Sequence, residues 1–541
     1  MDRHIRPASL IILYIVSIAI LLREKIAPFL EQQQVDNEPP RCRCIPGDPC
    51  WPSQTEWSQF NTSLGGKLIL NNCHPNNAFT SPDVPYMQHA VNVSSARDCQ
   101  LTLDFTQQHN IRLILQDAKL DCPSESTGPG ALVLRTHSLR NISFLDYGTP
   151  YYVGKAMKID AGVSSWEAQA AAHEQGLLVV GSDCPDAGLV EHTQRGGHST
   201  LFSKYGLAAD QVLEWEVVTA DGRLLVASPV KNANLYWALT GSGNGAYGVV
   251  LSMAVRAYPE TQVAAAKLSF SSDGVPLDTF YDAIKTVLLG YPVMNNAGVG
   301  SLWSVINGVF EIQPIIAPSL TVDELTDLLR PSLDALDESG ISYDFKSENY
   351  PSYFDSYEAM SPQYEISPLT HVNSRFIPRY LIESETAITP LMDTIKFLAT
   401  HNVGLLGMSL NVSRAPILPN SVRPMWRTAG FIVTYGAMFH ENDHEANTED
   451  LKVLTDVLEP RIEEIMPGCD AYLNEGNSCE SNFKEVIYDS NYGRLKSIKE
   501  KWDPEDFLYS PTAVGSEAWK IESDGRLCRI KQPSNPEHDI L

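Results

Sequence analysis

Apolar and polar positions change period several times along this chain. Residues 8–22 (ASLIILYIVSIAILL) form an uninterrupted apolar run behind Arg3 and Arg6. Residues 51–64 carry an aromatic-rich helix signal that stops at Gly65-Gly66. From Tyr86 the pattern becomes α/β. AVNVSS (90–95) predicts a strand ending in serine caps, ARDCQLTLDFTQQHN (96–110) a helix, and IRLILQ (111–116) a buried strand, together one β-α-β unit. A second unit is predicted from strand 156–163, a helix capped at Ser164/Ser165 and stopped at Gly176, and strand 177–183. A glycine-studded turn region then leads to a hairpin: strand 212–218, a type I′ turn at Asp221-Gly222, strand 224–227. Gly241, Gly243, Gly245 and Gly248 punctuate the entry to strand 249–255. Beyond residue 260, apolar strands (302–316, 404–413, 430–439) alternate with amphipathic helices (321–340, 449–466), the pattern of an antiparallel sheet backed by helices.

The 541 residues suffice for two or three domains with substantial cores, and 43% apolar with 20% charged residues is ordinary globular composition. A net charge of −26 argues against nucleic acid or an anionic membrane surface as partner. The 8–22 run falls short of the roughly 20 residues that span a bilayer. Arg23, Glu24 and Lys25 follow it where a cleavage site would need small residues. It is therefore expected to be a signal peptide or an uncleaved membrane anchor, with the rest of the chain lumenal, extracellular or secreted. Sequons at Asn61, Asn92, Asn141 and Asn411 agree with that route. Ten cysteines fit an oxidising compartment. Cys42, Cys44 and Cys50 are crowded, and without a paired CxxC or a nearby histidine pair they favour disulfides over zinc.

The literal string of residues 184–253 says more than its glycines. CP-x-x-GL…TQ-x-GGHS…YGLAADQVLEWEVVTADG…LYWAL…YGVV resembles the FAD-linked oxidoreductases of the berberine-bridge-enzyme-like family, particularly the fungal branch. The resemblance implies an α+β fold of the vanillyl-alcohol-oxidase and p-cresol-methylhydroxylase (PCMH) type. It divides the chain into a signal or anchor (1–28), a Cys-rich segment (29–81), a PCMH-type FAD-binding domain (82–259), an antiparallel-sheet substrate domain backed by helices (260–465), and a segment returning to the FAD domain (466–541). It also implies FAD as cofactor, with Ser126, Thr127, Gly128, Cys184, Gly188, Gly196, Gly197, His198, Gly206, Leu207, Asp210, Gly248, Val249 and Asn474 around it. In the family a YxN segment lies beside the isoalloxazine, here Tyr472 to Asn474. Glu475 follows it as a candidate general base, with Tyr472 as its catalytic neighbour.

Some family members attach FAD twice, through a histidine and a cysteine. Cys184 matches the cysteine, but Leu120 stands where the histidine would be and Lys119 replaces a glycine. FAD is therefore expected to be held without a covalent bond, or through Cys184 alone. Asp117 and Glu125 add negative charge to the turn that would receive a pyrophosphate. In the second loop, Glu191 and His192 fall near a lost glycine pair and Arg195 replaces another glycine, either to meet a phosphate or as a sign of a decayed site. His198 reads as structural or as a base. No Ser-His-Asp elbow, P-loop or HExxH motif is present.

The resemblance thus implies an oxidoreductase that uses molecular oxygen to oxidise a small organic molecule, a tailoring step in fungal secondary metabolism. The contrasting expectation is a redox-silent relative, a binding protein or cyclisation catalyst. Leu120, Lys119, Glu125 and Arg195 motivate it.

Overall fold

The computed structural model describes residues 42–70, 89–116, 130–243, 245–360, 369–401, 403–414, 418–438, 440, 443–465, 482–522 and 524–530. The apolar run 8–22 lies outside them. Among the described residues no helix is long and apolar enough to cross a membrane.

The chain forms two compact units, residues 44–517 and the joined ends 1–43 with 518–541. In the smaller unit, strand Trp519–Ile521 pairs with Leu527–Arg529, and a disulfide joins Cys42 to Cys528. Arg43 and Arg529 both lie over the Trp519 ring, 4.5 and 5.3 Å from its centroid.

The larger unit opens with a Cys44–Cys50 disulfide. These two sulfurs and the Asp48 carboxylate lie close together, but a sulfur in a disulfide is no metal ligand, so the zinc alternative has no thiolates here. Helix Gln54–Ser63 starts with a reciprocal capping box between Ser53 and Glu56 and buries Trp57 and Phe60.

The first sheet has four strands, ordered Leu68–Leu70, His89–Asn92, Leu132–Arg135, Leu113–Gln116. Helix Ala96–Gln108, capped by Ser95, connects two of them as expected. Those two are not neighbours, however: Leu132–Arg135 lies between them, parallel to both. Leu132, Val133 and Leu134 are all buried, and a strand apolar on both faces takes the centre.

The second expected β-α-β unit does not form. Tyr152–Asp160 belongs to a five-stranded antiparallel sheet, between Ile142–Thr149 and Gly248–Arg256. After helix Ser165–Glu174 only Leu177–Leu178 pairs as strand, with Tyr258–Pro259. Residues 179–182 are buried in irregular backbone instead. A Cβ on Gly181 would lie 2.7 Å from the Gln169 amide, and the Ser165 hydroxyl accepts from Ser182 N–H, so side chains satisfy this segment in place of a ladder.

Strands Val212–Thr219 and Leu224–Ala227 pair as expected, but the turn differs. A type I′ turn needs positive φ at both central residues, and only Gly222 has it, at 76°. Gly222 N–H bonds Thr219 C=O and Thr219 N–H bonds Arg223 C=O, which makes a longer loop ending in a glycine bulge.

The remaining sheet has seven strands, all antiparallel, in the order 343–350, 263–271, 309–318, 300–306, 403–409, 429–438, 369–378. The apolar run 302–316 is divided by Asn307-Gly308, both with positive φ (50° and 74°), giving strands Gly300–Ile306 and Val309–Pro318. Helices Leu277–Asn296, Val322–Ser339 and Thr389–Ala399 bury Val287, Leu329 and Leu391 in the same core as Phe310 and Phe431 from the sheet. The second carries both its signals, a Thr321–Glu324 capping box and Gly340 at φ 70°. Helix Tyr492–Trp502 joins the other core, burying Leu495, Ile498 and Trp502 beside Trp215 and Tyr247. Lys499 anchors it: with its side chain 0% exposed, the ammonium donates to Ala246 C=O (2.8 Å), Leu508 C=O (2.7 Å) and the Asp503 carboxylate (2.6 Å).

Candidate functional site

The loop that follows the buried 179–182 segment presents the chemistry. The Cys184 thiol is free and exposed, and its backbone N–H is held by the Ser182 hydroxyl at 3.1 Å. Gly188 bridges back to Ser164 and precedes the short helix Leu189–Gln194. Gly196 and Gly197 turn the chain so that their carbonyls accept from Ala209 and Ala208 N–H, at 2.9 Å each. Gly197 is required: its φ is +66°, and a Cβ would lie 2.7 Å from both the His192 ring and Ala208.

The Gln194 carbonyl ties this loop to the next glycine turn by accepting from Gly241 N–H (3.0 Å) and Gly243 N–H (2.9 Å). Ser421 N–H donates to Thr240 C=O at 2.8 Å, so the segment leading to strand 429–438 crosses the same turn. Gly241 has φ +115°, and a Cβ there would stand 2.5 Å from Val422 N. Gly248 and Val249 begin the fully buried strand Gly248–Arg256, paired to Thr219 and Val218.

The surroundings of this loop's polar side chains emerge only from the structure. Gln194 is 0% exposed, yet neither its amide nitrogen nor its amide oxygen has a hydrogen-bond partner among the described residues. His192 fills the space above Gly197, and burial pushes its pKa down to about 3, helped by His198, so it is neutral. His198 is half-buried between His192 (ring centroids 5.8 Å apart) and Trp426 (6.2 Å). The Asp183 carboxylate accepts from Thr200 N–H and the Thr200 hydroxyl, and burial raises its pKa.

Cys184, Gly188, Gly196, Gly197 and His198 therefore share one loop, with Gly206 and Leu207 just beyond. Asp210 is drawn elsewhere. Its carboxylate, 0% exposed, takes a bidentate pair from Arg427 (2.7 and 2.8 Å), Asn420 Nδ2 (2.8 Å) and Leu207 N–H (3.0 Å), all protein partners. Arg195 pairs with Glu191 at 2.8 Å, one helical turn away. Tyr492 is half-buried in the first core and donates to the Glu517 carboxylate at 2.5 Å. Ser126, Thr127, Gly128, Tyr472, Asn474 and Glu475 lie outside the described residues.

Of the sequon asparagines, Asn141 is exposed, while Asn61 and Asn92 are half-buried. Asn411 is a correction. It is 3% exposed, donates to Asn296 and accepts from Arg379 and Ser413, so its amide is closed to a glycan.

These residues suit a flavin dinucleotide. An accessible thiol lies on the loop that carries the Gly196-Gly197 turn, and the Gln194 amide, both donor and acceptor, complements a ring edge bearing N–H and C=O groups. Bound there, FAD would supply the hydride acceptor that no side chain can provide.

Comparison with known proteins agrees. Residues 87–228 match the FAD binding domain family, and residues 471–515 match the family described as berberine and berberine like. The FAD-linked oxidoreductase patO of Penicillium expansum is 35% identical, over 90% of this chain and 94% of its own. A VAO-type flavoprotein oxidase of Thermothelomyces thermophilus is also 35% identical, over 91% of this chain and 96% of its own. The crystal structure of a VAO-type flavoprotein from Myceliophthora thermophila superposes with a TM-score of 0.82 at 32% identity, covering 91% of this chain and all of that one. With this fold, this loop and these relatives, the chain belongs to the berberine-bridge-like, VAO-type family of FAD-linked oxidoreductases, and FAD is its cofactor.

Proposed function

We propose that this enzyme oxidises a small organic molecule with molecular oxygen as the final acceptor, as a tailoring step in fungal secondary metabolism. The observation that carries the reading is the exposed Cys184 thiol on the same loop as the buried Gln194 amide, which has no hydrogen-bond partner among the described residues and whose backbone ties the loop to the turn crossed by Ser421 and Val422. In this reading residues 82–259 hold the cofactor, 260–465 cover the substrate, and 466–541 return to the cofactor domain. FAD bound there would supply the hydride acceptor. The chain's own groups position the substrate, exclude water and remove the accompanying proton, with Glu475 as the base and Tyr472 and Asn474 at its side. Cys184 offers a free thiol for attachment, so the flavin is linked through it alone or held without a covalent bond.

The relatives favour oxidation over the redox-silent alternative, since both are named for oxidoreductase or oxidase activity. The apolar run 8–22 would route the chain into the secretory pathway as signal or anchor, with the enzyme lumenal or secreted and glycans at Asn61, Asn92 and Asn141.

The test is oxygen uptake and hydrogen peroxide release by the FAD-loaded protein against a panel of phenolic, polyketide and alkaloid alcohols. The expected result is turnover of at least one class, abolished in Glu475→Gln with flavin retained. Oxygen uptake unchanged in that variant would remove Glu475 from its role, and a fully loaded enzyme inert to every class would contradict the oxidase reading.

A further inference from the structure

We propose that the substrate is an uncharged molecule with an apolar body, and that Leu302, Leu406, Thr434 and Gln313 set this specificity from the sheet face that meets the Cys184–His198 loop. The inference rests on the reading of that loop as the cofactor's and names the substrate class it serves.

Strand alternation gives the seven-stranded sheet two faces. Trp303, Val305, Leu405 and Val433 lie in the core beneath the helices. Their strand neighbours Leu302, Ser304, Leu406 and Thr434 therefore face the other way. Ile312 and Ile315 also join the helix-side core, so the bulged pair Gln313-Pro314 between them turns to that second face. Pro314 there lines a small cavity with Asp183, Thr200 and Tyr353.

The second face is built onto the loop. A Cβ on Gly300 would stand 2.1 Å from the Thr200 carbonyl oxygen, so strand Gly300–Ile306 begins against the loop's backbone. Just beyond, Phe202 and Leu207 are buried with Phe376 and Ile432, and Met408 packs against them. The row of side chains two residues further along each strand is more open. In it Ser304 pairs with Leu406, Leu406 with Thr434, and Thr434 with Ser374. Ser304, Leu406 and Thr434 are half-buried, as are Leu302 and Gln313 beside them.

From Ser304 to Ser374 this row carries no charge, in a protein where 20% of residues are charged. It ends at Glu311, which pairs with Ser304 and is exposed to solvent. A charged ligand on such a surface loses hydration without gaining a partner, whereas an apolar body is favoured by leaving water. The Gln313 amide and the Thr434 hydroxyl supply donors and acceptors for a hydroxyl or carbonyl on that body.

Three probes with one carbon skeleton test this on the FAD-loaded full chain, by anaerobic titration calorimetry at about pH 7: neutral cinnamyl alcohol, protonated cinnamylamine and anionic cinnamate. The alcohol is expected to bind at least tenfold tighter than either charged probe. In Leu406→Asp the alcohol weakens at least tenfold and the ammonium probe becomes the tightest of the three. If Leu406→Asp does not fold, Thr434→Asp, closer in volume, carries the same expectation. A charged probe that binds wild type as tightly as the alcohol would overturn the proposal, and so would failure of all three to bind. An unchanged order in the folded variant overturns it equally. Flavin bands and oxygen uptake are read on the same preparations, and their absence is a different failure, that of the cofactor or oxidase reading.

Discussion

Arg427 closes a bidentate ion pair on Asp210 across 217 residues of sequence, with contacts of 2.7 and 2.8 Å and the carboxylate wholly shielded from solvent. Asn420 adds a third contact from the same side. The pair fastens the end of the glycine-rich loop to the connection between strands 403–409 and 429–438 of the antiparallel sheet.

Removing one partner strands the other charge. Arg427→Ala is expected to destabilise the protein by about 3–5 kcal/mol, and the double change Asp210→Leu with Arg427→Met by much less. Denaturant unfolding of both variants and of Asp210→Leu measures this. Additive losses would show that the two side chains do not interact.

Lys499 is the second buried charge that the fold depends on. Lys499→Met leaves the buried Asp503 without its cation and frees the carbonyls of Ala246 and Leu508. A loss of about 3–5 kcal/mol is expected, with helix 492–502 becoming the most protease-sensitive part of the chain. Uniform sensitivity would mean that the lysine does not anchor this helix.

His192 sets an acid limit. Its pKa is about 3 in the folded chain, against an ordinary value near 6.5. As pH falls below about 6.5 the unfolded chain takes up a proton that the folded one refuses. The contribution of His192 is therefore complete above that pH and declines, at about 1.4 kcal/mol per pH unit, until pH approaches 3. In His192→Gln the stability curve should be flatter over this window. An unchanged slope would show that His192 titrates normally.

Much of this arrangement could be read from the sequence where the signal is local. Ser164 with Glu167, and Thr321 with Glu324 and Gly340, mark helix ends by side chains that meet within a turn. Asn307-Gly308 was legible in principle, since that dipeptide between apolar alternations marks a two-residue hairpin, yet the long apolar run around it reads as one strand. Other features depend on distant partners. Periodicity cannot tell that Leu132–Arg135 inserts between the strands at 89–92 and 113–116, because parallel pairing is decided by which strand is apolar on both faces. The apolar segment 179–182 looks like a strand but is satisfied by Ser165 and Gln169 side chains. Asp210, expected at the cofactor, is engaged by an arginine that only the tertiary fold brings near. Asp183 was visible as the residue before Cys184, but nothing local revealed Thr200 and Tyr353 beside it.

Burial also separates the sequons. Mass spectrometry of the protein expressed through a secretory pathway should find glycan on Asn141 and none on Asn411, whose amide is locked to Asn296. Occupancy at Asn411 would require its contacts with Asn296 and Arg379 to be open.

Gly197 tests the loop itself. A Cβ there meets the His192 ring and Ala208 in a backbone conformation that favours glycine, so Gly197→Ala is expected to cost at least tenfold in FAD affinity with the fold retained. Fluorescence titration of FAD into the apoprotein reads it, and wild-type affinity would show the turn is not part of the cradle.

The most direct test is the visible absorption spectrum of the purified full chain, before and after acid precipitation. The account predicts flavin bands in the native protein. They stay with the pellet and disappear in Cys184→Ala if the thiol is the single link, and they pass to the supernatant if the cofactor is non-covalent. A colourless protein that remains colourless after addition of FAD would contradict it.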